Sequence, residues 1–223
     1  MNLAWRVIRT SISDFADEIL WLVLLNVLWC IAAVTVIGAP LVSAGMAWVA
    51  AEIGEGKVLR WNTFTTGIRR YWKQSYLWAL ANVLVAALIG MNLAFYSGRS
   101  ESWTLVPFFL FGALGLWWAG MQFYFFPFLT HQENPSLRMA YRNSIVLMLS
   151  QPGLSIVMFL VVIVLAALSY FFLFPLFLFF FALLSILSNR AVIETIRYQA
   201  EQAAAAEEAR RSKMPDQRWR PPR

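Results

Sequence analysis

The chain has 223 residues, of which 60% are hydrophobic and only 13% charged. Soluble domains of this size carry about 25% charged residues, so an ordinary soluble globular class is excluded. The net charge of +6 does not call for nucleic acid, because the basic residues follow a positional pattern that membrane topology and anionic head groups explain.

An α-helix rises about 1.5 Å per residue and must cross about 30 Å of hydrocarbon, so about 20 apolar residues make one span. Ile19 to Ile37 is the first such run. It follows Asp14, Asp17 and Glu18, has no small-residue cleavage site and leads into further apolar runs, so it reads as a span and not a signal peptide. Gly38-Ala39-Pro40 breaks it, since glycine loosens the backbone and proline cannot donate to the preceding turn. Leu41 to Ile53 follows. As one helix, 19–53 would be about 52 Å long, so a hairpin is expected, with Pro40 opening a short, tilted or partly buried second span. The third span is Ser75 to Tyr96, and the fourth is Trp103 to Thr130. Leu154 to Ser188 carries no charge and at about 51 Å must fold back, with Pro175 at the turn between spans five and six.

These runs predict an all-α polytopic bundle of about six transmembrane helices. Seventeen of the eighteen basic residues then lie on one side, and only Arg99 on the other. The positive-inside rule places that side, and both termini, in the cytoplasm of a multi-pass cell-membrane protein. The alternative fuses the first two runs into one span and leaves Arg6 and Arg9 outside. Residues 1–197 form the transmembrane domain. Residues 198–223 form a cytoplasmic helical extension through Ala203–Ala206, then a disordered basic tail rich in Pro and Arg from Met214.

Two breaks on the basic side share a pattern. Ile68-Arg69-Arg70-Tyr71-Trp72-Lys73-Gln74-Ser75 is echoed by Leu137-Arg138-Met139-Ala140-Tyr141-Arg142-Asn143-Ser144. Trp61, Phe64, Ile68 and Tyr71 form an apolar stripe at helical spacing in one, and Leu137, Tyr141, Ile145 and Met148 in the other. Asn134-Pro135 reads as an N-cap followed by Pro at the first helical position. The expectation is two interfacial amphipathic helices, aromatics towards lipid and cations towards water. Each sits between spans, giving a parallel repeat of 41–97 and 108–172 about an axis along the membrane normal. The candidate site is the cytoplasmic basic face of Arg69, Arg70, Lys73, Arg138 and Arg142. It faces either lipid head groups or a cytoplasmic protein partner, with Tyr71 or Tyr141 as aromatic anchor.

No ionisable residue falls in the centre of a predicted span, so no catalytic residue, cofactor site or metal site is expected, and the protein reads as non-enzymatic. The polar residues at depth are Asn26, Thr35, Ser43, Asn82, Asn92, Gln122, Ser169 and Ser185. They serve as helix–helix hydrogen-bond partners or line a polar cavity. Trp29, Trp48, Trp117 and Trp118 also lie deep, and their indole N–H groups need acceptors from other helices. Glu52 is expected to meet interface water or Lys57. His131 reads as a solvated boundary residue, and Cys30 as a small core residue.

The residues Leu25-Asn26-Val27-Leu28-Trp29, Val36-Ile37-Gly38-Ala39-Pro40, Gly54-Glu55-Gly56, Phe64 and Trp72-Lys73-Gln74-Ser75 resemble the YesL family of integral membrane proteins of unknown function. Phe126-Pro127 and Ser188-Asn189-Arg190 are similar too. The turn reads Gly-Ala-Pro here where the family has Gly-Pro-Ala, and Trp72 stands for Phe. The resemblance transfers no catalytic residue. It implies association with carbohydrate ABC uptake systems, with ABC transporter subunits or another cytoplasmic partner, and an accessory role. The competing reading is a small-solute transporter or channel in its own right.

Overall fold

The structure, a computed structural model, describes residues 3–99 and 101–213. It is all-helical, with no strand among the described residues. The order is α1 (Leu3–Asp17), α2 (Ile19–Val34), α3 (Gly38–Gly54), α4 (Trp61–Ser97), α5 (Leu105–Thr130), α6 (Leu137–Ser150), α7 (Pro152–Phe172) and α8 (Phe181–Lys213). A single 3-10 turn, Ser102–Thr104, precedes α5, and a π-helical turn, Leu176–Phe180, precedes α8.

Four segments are long and apolar enough to cross a membrane: Trp61–Ser97, Ser102–Thr130, Pro152–Phe172 and Leu176–Arg210. α1 and α2 together make a fifth candidate, bent by 93°. α2 and α3 have 16 and 17 residues, about 24–26 Å each, short of the roughly 30 Å of a hydrocarbon core. They form the expected hairpin. Its turn is Thr35-Val36-Ile37, with Val36 at φ 59°, and Pro40 sits in the first turn of α3, where a missing N–H costs nothing.

An element absent from the sequence reading is α1. Its buried residues Ala4, Val7 and Ser11 form one helical stripe, which packs against α8. The polar composition of 3–17 hides this helix from any search for apolar runs.

α3 lies tightly along the first half of α4. A Cβ on Gly45 would stand 2.5 Å from the Phe64 ring, and one on Gly67 would stand 2.5 Å from Trp48 Cβ. Small residues thus bring the two backbones together. At the hairpin tip, the Tyr76 hydroxyl donates to the Ile37 carbonyl at 3.2 Å. From there α4 runs on to Ser97, roughly 31 Å further, beside α5 and the 3-10 turn that precedes it. Ile89 meets Gly115, and the Tyr96 and Phe111 rings stack at 6.1 Å.

The two amphipathic segments differ from expectation. The first is not a separate helix: 61–74 continues without a break into the following run as the 37-residue α4. No proline or positive-φ residue interrupts it. The second is separate, because Gln151 leaves the helical region (φ −130°, ψ 61°) and Pro152 opens α7. Nor do the aromatic stripes face lipid beyond Trp61, which is exposed. Phe64 and Tyr71 are buried in protein, the former against α3. Tyr141 stacks on Trp118, and Met148 covers Gly120 of α5. Glycines on the facing helices allow contact close enough that protein, not lipid, takes up the stripe.

α7 packs on its neighbours at Leu154 and Met158, and Ser169 is buried near its far end; between Met158 and Ser169 it has no buried residue. It is joined to α8 through Leu173 (φ 50°), Pro175 and the π-helical turn. α8 continues past residue 197 to Lys213, giving the expected helical extension. The basic tail from Met214 lies outside the described residues.

Candidate functional site

The five cations chosen from sequence are all exposed. Among the described residues none of them forms an ion pair. Arg70 donates to the Glu133 carbonyl at 3.4 Å, and its guanidinium lies 5.2 Å from the Trp48 ring centre. One turn on, Gln74 reaches the Pro135 carbonyl at 3.5 Å. The first half of α4 therefore sits beside the loop that starts α6, where Arg138 stands. Tyr71 and Ala140, which occupy matching positions in the two segments, meet in one core cluster with Phe125 and Leu129 of α5. α5 thus lies between the segments and carries both.

The expected aromatic anchors are not available on this face. Tyr71 is fully buried and donates to the Thr130 carbonyl at 3.2 Å. Tyr141 is held between Trp118 and Phe125. In their place Trp72 (48% exposed) and Met139 (51%) stand out beside Lys73 and Arg138. The sequence signal was present in the helical phase, since each lies one position from a buried residue.

Behind this face is a polar girdle between α4 and α5. The Trp78 indole donates to Gln122 Oε1 at 2.7 Å, and the Asn82 amide to the same oxygen at 3.2 Å. The Trp118 indole donates to Asn82 Oδ1 at 3.0 Å. The deep polar residues thus serve as interhelical partners here, and Trp29 likewise donates to Ser43 at 2.8 Å. The Tyr141 hydroxyl is buried beside this girdle without a well-formed hydrogen bond. Burial pushes its phenol up to about 12, with the Gln122 and Asn82 amides pulling the other way.

A charged layer ties α1 and α8 together. Arg190 binds Asp14 through two nitrogens, one at 2.8 Å. Arg6 lies 3.7 Å from the buried Glu194 and 3.4 Å from Glu201. His131 is exposed as expected, yet it also bonds Asn189 at 2.9 Å, and Asn189 donates to the Ala50 carbonyl at 2.7 Å. That chain links α5, α8 and α3. Lys57 meets Glu52 at 3.1 Å, as expected, and Glu55 at 2.7 Å. Hydrogen bonds to Glu55 first and Glu52 second raise its pKa. No group of three or more metal-ligating side chains occurs among the described residues.

Two cavities flank α5. One, about 310 Å³, is lined by Trp29, Ser43, Trp78, Gln122, Phe126, Phe181 and neighbours. The other, about 520 Å³, lies between α5 and α7. Comparison with protein-family models, with curated proteins and with solved structures finds no match for the chain.

Proposed function

We propose that this is a non-enzymatic, six-span membrane protein that docks a cytoplasmic partner on the basic face of α4 and α6. α2 and α3 count as a short pair of spans, and both termini lie in the cytoplasm, on the side that carries seventeen of eighteen basic residues. The partner expected from the YesL resemblance is a subunit of a carbohydrate ABC uptake system. The repeat of 41–97 and 108–172 is part of this reading, with α4 holding in one helix what α6 and α7 divide.

The observation that carries the proposal is the group of five exposed cations, Arg69, Arg70, Lys73, Arg138 and Arg142, without ion pairs among the described residues and flanked by Trp72 and Met139. Lipid head groups account for cations, at about 1 kcal/mol each near an anionic surface. A protein contact also needs apolar or aromatic anchors at its centre, and Trp72 and Met139 supply them. The competing reading, passage of a polar solute, asks for a polar path. The cavities beside α5 have mainly apolar walls, which favours docking.

The test is purification in mild detergent with the bound proteins identified by mass spectrometry. Arg70→Glu with Arg142→Glu, and separately Trp72→Ala with Met139→Ala, are expected to release an ABC transporter subunit at unchanged membrane level. An unchanged set of bound proteins in both double variants refutes docking and leaves the face as a lipid anchor.

A further inference from the structure

α7 packs on the core through Leu154, Met158 and the partly buried Val161, and is only loosely covered from there to Ser169. Leu154 and Met158 are buried, Ser169 is buried, and no residue from 159 to 168 is. The space left is the pair of cavities, about 310 and 520 Å³. Both are lined by Ala119, Phe123 and Val162, so they adjoin along the α5–α7 line and together make the cleft.

The walls define the chemistry of an occupant. Most of the polar groups that reach the cleft hydrogen-bond within the protein; the Ser185 hydroxyl and the Trp117 indole do not among the described residues. Trp29 donates to Ser43, Trp78 to Gln122, Ser188 to the Ser185 carbonyl, and the Tyr124 hydroxyl to Ser155. What remains facing inward is mainly aromatic and aliphatic surface. Water has too few partners there to be held. An empty cleft forfeits dispersion contacts on every wall. In a bilayer the medium beside α5 and α7 is hydrocarbon, and the cavity sizes fall in the range of ligand sites.

We infer that the cleft between α5, α7 and α8 is a binding site for one acyl chain of a bilayer phospholipid, entering between α5 and α7. The polar head lies at the α6–α7 corner, where Ser155 borders the cleft. The chain runs past Met148 and Gly120 to Phe123 and Val162. This explains why α7, an apolar helix, leaves space beside α5: the lipid is its packing partner there.

The experiment uses the full chain in nanodiscs doped with a phospholipid that carries a diazirine midway along one acyl chain, with labelled peptides mapped after photolysis. Label is expected on residues 113–124 and 155–162 at about tenfold over residues 83–95 of α4, equivalent to about 1.4 kcal/mol. Ala119→Trp and Val162→Trp each fill the shared part of the cleft. Either is expected to bring labelling of 113–124 and 155–162 down to the α4 level while α4 labelling is unchanged. Uniform labelling of α4, α5 and α7 in the unaltered protein overturns the proposal. So does cleft labelling that persists in a filled variant eluting as the unaltered protein does. Labelling by a diazirine fatty acid but not by the phospholipid refutes the bilayer lipid as occupant.

Discussion

One side chain, Asn26 of α2, holds the backbone on both sides of Phe180. Its amide nitrogen donates to the carbonyls of Leu176 and Phe177 at 2.7 and 2.8 Å, and its oxygen accepts from the N–H groups of Phe181 and Ala182 at 2.8 and 3.0 Å. The need arises from Pro175 and the π-helical turn, which disturb the helical ladder. In an apolar environment each unpaired backbone group is costly.

Asn26→Leu removes all four bonds to the backbone, and Asn26→Asp sets a carboxyl oxygen against the two carbonyls. Both are expected to destabilise the purified protein, by about 2–4 kcal/mol for Leu if each bond contributes about 1 kcal/mol, and by at least as much for Asp, whose buried charge has no partner. Thermal unfolding in detergent checks this. A Leu variant as stable as the unaltered protein disproves the bracing role.

Gly67 and Gly90 occupy the same helix and predict opposite outcomes. A Cβ at Gly67 collides with Trp48, while one at Gly90 meets nothing within 4 Å. Gly67→Ala is expected to cost about 1–3 kcal/mol through overpacking. Gly90→Ala is expected to be neutral or to stabilise by up to about 1 kcal/mol through helix propensity. Denaturant titration of the two variants side by side decides it.

Asp14 and Arg190 fasten α1 to α8. The pair is mostly buried but reaches solvent, so breaking it is expected to cost about 1–3 kcal/mol. Arg190→Ala is expected to expose α1 to limited proteolysis near Asp17, whereas the rest of the chain keeps its cleavage pattern. Protection of α1 equal to that of the unaltered protein counts against the fastening.

Orientation is checked by cysteine labelling in a Cys30→Ala background. Thr66 and Ser102, both exposed, are separated by most of the length of α4. Thr66→Cys is expected to resist an impermeant reagent in intact cells, and Ser102→Cys to react. Reaction at both sites, or only at Thr66, contradicts a cytoplasmic basic face.

Apolar runs and their breaks were legible in the sequence because they answer to local physics. Length at about 1.5 Å per residue called for chain reversals within 19–53 and 154–188, and the chain does reverse at Thr35-Val36-Ile37, just before Pro40, and at Leu173, just before Pro175. Composition likewise settled that the chain is helical and apolar. The destination of each helical face was decided only in three dimensions. The stripe of Phe64 and Tyr71 has the same period whether it meets lipid or protein. Gly45 and Gly67, by letting α3 and α4 approach, gave it to protein. The polar α1 became a packed helix because Ala4 and Val7 meet Leu187, Ala191 and Val192 of α8, while Arg190 and Glu194 meet Asp14 and Arg6. The cleft beside α7 has no sequence signature at all, since it exists only where α5 and α7 leave space between them. Periodicity is a property of one segment, whereas close approach, charge pairing over 176 residues and empty space are properties of pairs.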